Sequence, residues 1–186
     1  MKWVLWIGGA LAALLVLTVG VLLALGARKD ANRLYYAVEL PASPAEVWPW
    51  LYEPGRLKQW VSWLSEVHPE SPAPEAGKKT RWIMLDANNG NRPMEIVAVT
   101  REVEPARRLL VRSTSAEAFE GDASYVLTDL GNGRTRLETE ARYQFHRWFY
   151  QLLMPVIVPQ AQKKLEMDCA QLQRLLAGSR SEYTRK

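Results

Sequence analysis

The chain of 186 residues has one cysteine and two histidines. A single thiol, Cys169, excludes an internal disulfide and a cysteine zinc cluster. His68 stands beside a proline-rich loop and His146 at a strand-to-helix junction, too isolated from each other for a histidine metal site. Both read as surface or packing residues. The sequence has no Gly-x-Ser-x-Gly elbow, no Walker loop and no Gly-x-Gly-x-x-Gly fingerprint, so it lacks the marks of serine hydrolases, P-loop NTPases and dinucleotide enzymes. Basic residues exceed acidic ones by 24 to 20, a net charge of +4, with no dense lysine or arginine block. Nucleic acid is therefore a poor fit as a partner.

Charge is also missing from Trp3 to Ala27. At about 1.5 Å per residue such a helix reaches roughly 37 Å, against a hydrocarbon core of about 30 Å. Residues 3–27 read as a transmembrane anchor and 28–32 as a linker. A cleaved signal peptide is the alternative, since Lys2 supplies an n-region and small residues precede Ala27. A signal h-region of about 7–15 residues is shorter than this run, which favours the anchor. Trp3 and Trp6 sit where indoles favour the headgroup interface. Arg28, Lys29 and Arg33 follow the run, and the positive-inside rule then places the rest of the chain in the cytoplasm. A signal-anchor reading places it on the other side, so the side of the membrane stays open.

Residues 33–178 suffice for one domain, and 179–186 read as a polar tail. "RLYYAVEL" (Arg33–Leu40) has a strand's pattern. Ser43, Pro44 and Glu46 then form a helix start, with Ser43 as N-cap, Pro44 in the first turn and Glu46 closing a capping box. "EPG" at Glu53–Gly55 ends that helix, and a second short one spans about Arg56 to Val61. After a loop at His68–Gly77 come five strands, divided by "NNGN", "EPA", a break near Ser115 and "GNG". Short turns between successive strands mean an antiparallel meander. In the last strand Thr135, Leu137, Thr139, Ala141, Tyr143 and Phe145 share the covered face, while Arg136, Glu138, Glu140, Arg142 and Gln144 face water. On the strand before it, Phe119, Gly121, Ala123, Tyr125 and Leu127 share a face. Gly121 and Ala123 leave either room for a helix or an unfilled volume. A helical segment from about His146 carries a stripe of Ile157, Ala161, Leu165, Cys169, Leu172 and Leu176, and Gly178 is expected to end it.

One strand, two short helices, antiparallel strands and a long final helix is the order of the helix-grip fold, an α+β architecture. "ELPASPAEVWPWL", "RLKQWVSW", "EVEPARRLLVRS" and "GNGRTRLETEARY" resemble the polyketide cyclase/dehydrase and lipid-transport branch of the START-like, Bet v 1-like (SRPBCC) superfamily. The resemblance covers about Leu34 to Ala177 and is specific for fold more than for function. It implies an apolar cavity between the curved sheet and the long helix, with Trp60 and Trp63 near its mouth. The anchor before such a domain resembles a recurring bacterial arrangement, which implies a single-pass protein of the bacterial cell membrane.

The expected function is binding of a lipid or other hydrophobic small molecule, without a cofactor. Candidate lining residues are Trp60, Trp63, Trp82, Phe119, Tyr125, Leu137, Thr139, Tyr143, Ile157, Ala161 and Leu165. Trp48 and Trp50 read equally well as packing residues. No catalytic constellation is visible: Cys169 lies on an apolar stripe, and Asp168 and Glu95 are the only acids placed to point inward, neither with a visible partner. Two alternatives stand beside the binding reading. One is a cyclase/dehydrase-like enzyme, and the other a membrane-tethered interaction module with a filled core. The apolar excess in "HRWFYQLLMPVIVP" (His146–Pro159) suggests that this segment dips into the bilayer interface.

Overall fold

The computed structural model describes residues 2–26, 30–85, 90–116, 118–147, 150 and 152–183. Helix α1 (Lys2–Gly26) precedes strand β1 (Arg33–Leu40), helix α2 (Pro44–Val47), a 3-10 turn (Trp48–Leu51) and helix α3 (Pro54–Trp60). Strands β2 (Leu64–Pro69), β3 (Lys79–Leu85), β4 (Pro93–Glu104), β5 (Arg108–Ser115), β6 (Phe119–Gly131) and β7 (Arg134–Phe145) follow, then helix α4 (Met154–Tyr183). The strands form one antiparallel sheet in the order β1-β7-β6-β5-β4-β3-β2. This is the helix-grip arrangement, with α4 against the covered face.

Local chemistry sets the element boundaries. The backbone N–H and hydroxyl of Ser43 both donate to the Glu46 carboxylate at 2.7 Å, fixing the start of α2. Pro54 opens α3 where a missing N–H costs nothing. Between β6 and β7, Gly131, Asn132 and Gly133 take φ of 75°, 54° and 66°, a reversal that needs glycine or asparagine. Strand β2 departs from the sequence expectation, which has no strand there. Its charged, proline-ended hexapeptide has no strand signature of its own, and pairing with β3 supplies what it lacks.

Helix α4 also differs at both ends. It starts at Met154, later than the apolar pattern suggests, and it continues through Gly178 to Tyr183. Glycine favours a stop only where the chain turns left-handed, and no proline follows it here. Within the helix, Pro159 cannot donate to the Pro155 carbonyl one turn back. Trp148, Phe149 and Gln151 lie outside the described residues.

Helix α4 closes the open edge of β1. The Gln162 side chain accepts from Tyr35 N at 3.2 Å and donates to Tyr35 O at 2.9 Å. Three turns further on, Gln173 donates to Glu39 O at 2.8 Å. These bonds occupy backbone groups that would otherwise invite another strand.

The main core lies under the helix pair, where Leu40, Val47, Leu51, Leu57, Trp60, Leu137, Leu172 and Leu176 pack together. Trp48 and Trp50 pack partly buried against it. Helix α1 stands apart from this core: Trp6–Gly26 is long and apolar enough to cross a membrane, and Leu11, Leu14 and Leu17 are exposed.

Candidate functional site

The middle of the sheet's concave face is paved with small side chains. Gly121 pairs with Ser113 on β5 and Tyr143 on β7, Ala123 with Val111 and Ala141, and Ser113 with Ala98 on β4. Larger groups surround this floor: Phe119, Tyr125 and Tyr143 on β6 and β7, and Trp82 on β3. Glycine at 121 is required by contact. A Cβ there would lie 2.4 Å from Arg142 O and 2.5 Å from Tyr143 Cδ1, so the Tyr143 ring lies across Gly121. Phe119 meets that ring edge-on, with centroids 5.0 Å apart and planes at 76°. Further out, Phe145 lies 6.5 Å from Phe119 and 6.1 Å from Tyr150.

The front half of α4 faces this floor. Ala161 and Leu165, with Val158, pack on Leu34, Ala123 and Ala141, joined by Val111, Tyr125 and Tyr143. Ile157 is half-buried one turn before Ala161. Desolvation pushes the Tyr125 phenol well above its ordinary range, helped by Tyr143, Cys169 and Asp168, and burial raises Tyr143 in the same direction. Both tyrosines nevertheless keep some accessible surface.

Where the helix pair meets the sheet, a cleft with a cavity volume of about 40 Å³ is bounded by Tyr52 and Leu57, by Trp82, Thr100 and Val111, and by Lys78 at its rim. A broader, shallow groove of about 380 Å³ lies elsewhere, at Leu40, Arg134 and Gln173, outside the grip. Among the described residues, two buried side-chain polar atoms have no hydrogen-bond partner: Trp82 Nε1 and Thr139 Oγ1. Thr139 is only 3% exposed and pairs across the strands with Tyr125. The Cys169 thiol stands beside Thr139 without hydrogen-bond geometry, and burial, then Asp168, pushes that thiol up to about 12.

The candidate lining residues thus separate into groups. Tyr125, Thr139, Tyr143, Phe119, Ala161 and Leu165 come together on the floor and the facing helix, and Trp82 lines the adjoining cleft. Trp60 and Leu137 lie in the main core with 5% and 0% exposure. The Trp60 indole donates to Trp50 O at 2.9 Å, satisfied within the helix pair. Trp63 is at the surface, with the Lys164 ammonium 5.1 Å above its ring. Its φ of 68° is a left-handed conformation unusual for a bulky side chain, held where its carbonyl accepts from Leu85 N at 2.7 Å.

The inward acid is Asp168, and it is fully engaged. Ser62 donates to Oδ1 through its backbone N–H at 3.1 Å and its hydroxyl at 2.6 Å, and Lys164 Nζ lies 2.5 Å from Oδ2. The carboxylate therefore ties the end of α3 to α4, with each of its oxygens engaged. Lys164 is a partner the sequence reading missed, although its spacing of four from Asp168 on a helix is the signal for it; Ser62 lies 106 residues away in sequence, which no local pattern reveals. Glu95 falls on the outer face with Arg81 at 3.9 Å, not inward. Glu140, also outside, is held below its usual range by the hydrogen bond from Arg33.

A concave sheet gripping a helix over a small-residue floor defines a helix-grip protein. The chain belongs to the family described as polyketide cyclase / dehydrase and lipid transport, whose model matches residues 32–177. Among solved structures, TTHA0849 from Thermus thermophilus is similar at TM-score 0.64 and 15% identity, over 79% of this chain and 98% of that one. NE0264 from Nitrosomonas europaea is similar at TM-score 0.63 and 17% identity, over 83% and 99%. DynU16, from the dynemicin biosynthetic locus, matches at TM-score 0.57 and 24% identity, over 78% of this chain and 47% of that one. At such identities the likeness is one of fold. Among curated proteins, none matches.

Proposed function

We propose that this chain is a membrane-anchored binding protein that holds a lipid or other hydrophobic small molecule between the concave sheet and the front half of α4. The observation that carries the reading is the pair of unpartnered polar atoms, Trp82 Nε1 and Thr139 Oγ1, at the margins of a floor made of glycine, alanine and serine. A buried polar group without a partner costs about 1–3 kcal/mol, which a ligand oxygen would recover. Apolar contact contributes the rest, at about 25 cal/mol per Å² buried. The proposed lining is Phe119, Tyr125, Thr139, Tyr143, Ala161 and Leu165, with Trp82 in the adjoining cleft.

The tether supports exchange with a bilayer. Asn32, at the end of the short linker after α1, donates through its side chain to Tyr143 O at 3.0 Å and accepts from Tyr143 N at 3.2 Å. The aromatic end of the interior, with Phe119, Tyr143 and Phe145, is therefore the end nearest α1 in the chain. With α1 in a membrane, a lipid would have a short path from the bilayer to the floor.

Native mass spectrometry with lipid extraction, on the full chain purified in detergent, tests the reading. A stoichiometric apolar molecule retained by the protein supports it and names the ligand class. An empty protein that takes up nothing from a lipid panel overturns it, in favour of an interaction module whose tryptophans only pack.

A further inference from the structure

We infer that the cleft at Trp82 is a headgroup site, and that it selects a carboxylate-headed amphiphile such as a long-chain fatty acid. The inference rests on the binding function proposed above and goes on to name the polar end of the ligand.

The indole N–H of Trp82 is a donor only, so what completes it must be an acceptor. A hydrocarbon end offers nothing to it, and an ammonium headgroup would set donor against donor. Thr100, 8% exposed, and the half-buried Thr80 add hydroxyls to the same cleft wall, so the lining can donate to more than one oxygen. Lys78 and Glu75 border the cleft, while Lys79, alternating with Thr80 and Trp82 along β3, shares the outer face of Arg81. Glu75 is already engaged by the Ser71 hydroxyl at 2.6 Å. Several donors on one wall suit the two oxygens of a carboxylate better than a headgroup with a single acceptor.

Size and continuity agree with this chemistry. A water needs about 10–15 Å³ of such volume, so about 40 Å³ holds a few waters or one carboxylate and cannot hold an acyl chain. The chain must therefore leave the cleft. Val111 marks the way, since it lines the cleft and also packs in the cluster formed by Ala123, Ala141, Ala161 and Leu165. A carboxylate at Trp82 would project its hydrocarbon past Val111 onto the small-residue floor.

The test uses the full chain, labelled with 15N on its tryptophan indoles, in nanodiscs of saturated phosphatidylcholine, and titrated with palmitic acid and separately with hexadecane. One indole N–H resonance, assigned to Trp82 by its absence from Trp82→Phe, is expected to move downfield with palmitic acid and not with hexadecane. Trp82→Phe is expected to weaken palmitate binding about tenfold more than it weakens hexadecane binding, the worth of one hydrogen bond to a charged group. Palmitate binding with an unmoved Trp82 resonance, or with equal affinity in the variant, overturns the headgroup site and leaves the binding function standing. If neither compound binds, the headgroup site fails, and the binding function is decided separately by the native mass spectrum of the full chain.

Discussion

Lys164 and Asp168 form an ion pair of 2.5 Å one turn apart on α4, with only 16% and 7% of their side chains exposed. Together with Ser62 they join the end of α3 to the long helix, and they hold the grip at one end. Removing one partner from such a pair leaves an uncompensated charge, whereas replacing both with apolar groups can be neutral. Lys164→Met is therefore expected to lower stability by about 3 kcal/mol, and the double variant Lys164→Met, Asp168→Leu to recover most of that loss. Urea denaturation of the three proteins measures it. Equal midpoints for wild type and Lys164→Met would show that the pair contributes nothing net.

The Gly121 contact gives a second expectation. A methyl group at this position meets the Arg142 carbonyl and the Tyr143 ring within 2.5 Å, so Gly121→Ala must shift the β7 backbone as well as displace the ring from the strand surface. Overpacking of this kind costs about 1–3 kcal/mol. The displaced ring would move toward α4, and ligand retention is expected to fall along with stability. Urea midpoints and native mass spectra, taken on the same preparation, check both effects. A variant as stable as wild type would show that both the β7 backbone at Arg142 and the Tyr143 ring relax freely.

These two sites mark how far sequence alone reaches. The alternation along Thr135–Phe145 carries its own answer: Leu137, Thr139 and Ala141 are covered and Arg136 and Arg142 exposed, because a period of two survives any tertiary context. The capping box at Ser43 is equally local. What sequence does not reveal is pairing at a distance. Ser62 with Asp168, Gln162 with Tyr35 and Trp60 with the Trp50 carbonyl depend on which surfaces meet after folding. The small size of Gly121 and Ala123 is visible in the sequence, but their consequence is not. Gly121 receives a ring from its own neighbouring strand, whereas Ala123 receives a helix. The tryptophan-rich stretch divides for the same reason. Trp60 turns into the core, and Trp63, three residues past the end of α3, turns out to meet Lys164.

Cys169 links burial to pH. Its thiol titrates at about 12 in the fold against an ordinary value of 9.0, because burial disfavours the thiolate. The raised value means that the folded state holds its proton more tightly than the unfolded chain does. The associated stability is fully present below about pH 9 and is lost as pH rises toward 12, at up to about 1.4 kcal/mol per pH unit for the one group. Cys169→Ala is expected to flatten that alkaline loss, measured by urea midpoints from about pH 8 to about pH 11. The native thiol is also expected to resist iodoacetamide at about pH 8 and to react only in denaturant. Rapid labelling of the folded protein would place Cys169 in contact with solvent.

Ala161 provides the sharpest distinction between a hollow interior and a filled one. It faces Ala123 and Ala141 across the grip, so three adjacent positions offer methyl groups where large apolar side chains would ordinarily meet. In a filled interior Ala161→Trp overpacks, and stability falls by about 1–3 kcal/mol or more, with no ligand to lose. In a hollow one the indole occupies space that a ligand would use. Stability then holds or rises, and bound lipid disappears from the native mass spectrum. Gln160→Trp, one residue away on the exposed side of α4, controls for the effect of adding an indole to the helix and is expected to leave both readings unchanged. The expected result for Ala161→Trp is a folded, ligand-free protein. A destabilised variant that still retains wild-type ligand content would place the ligand away from this floor.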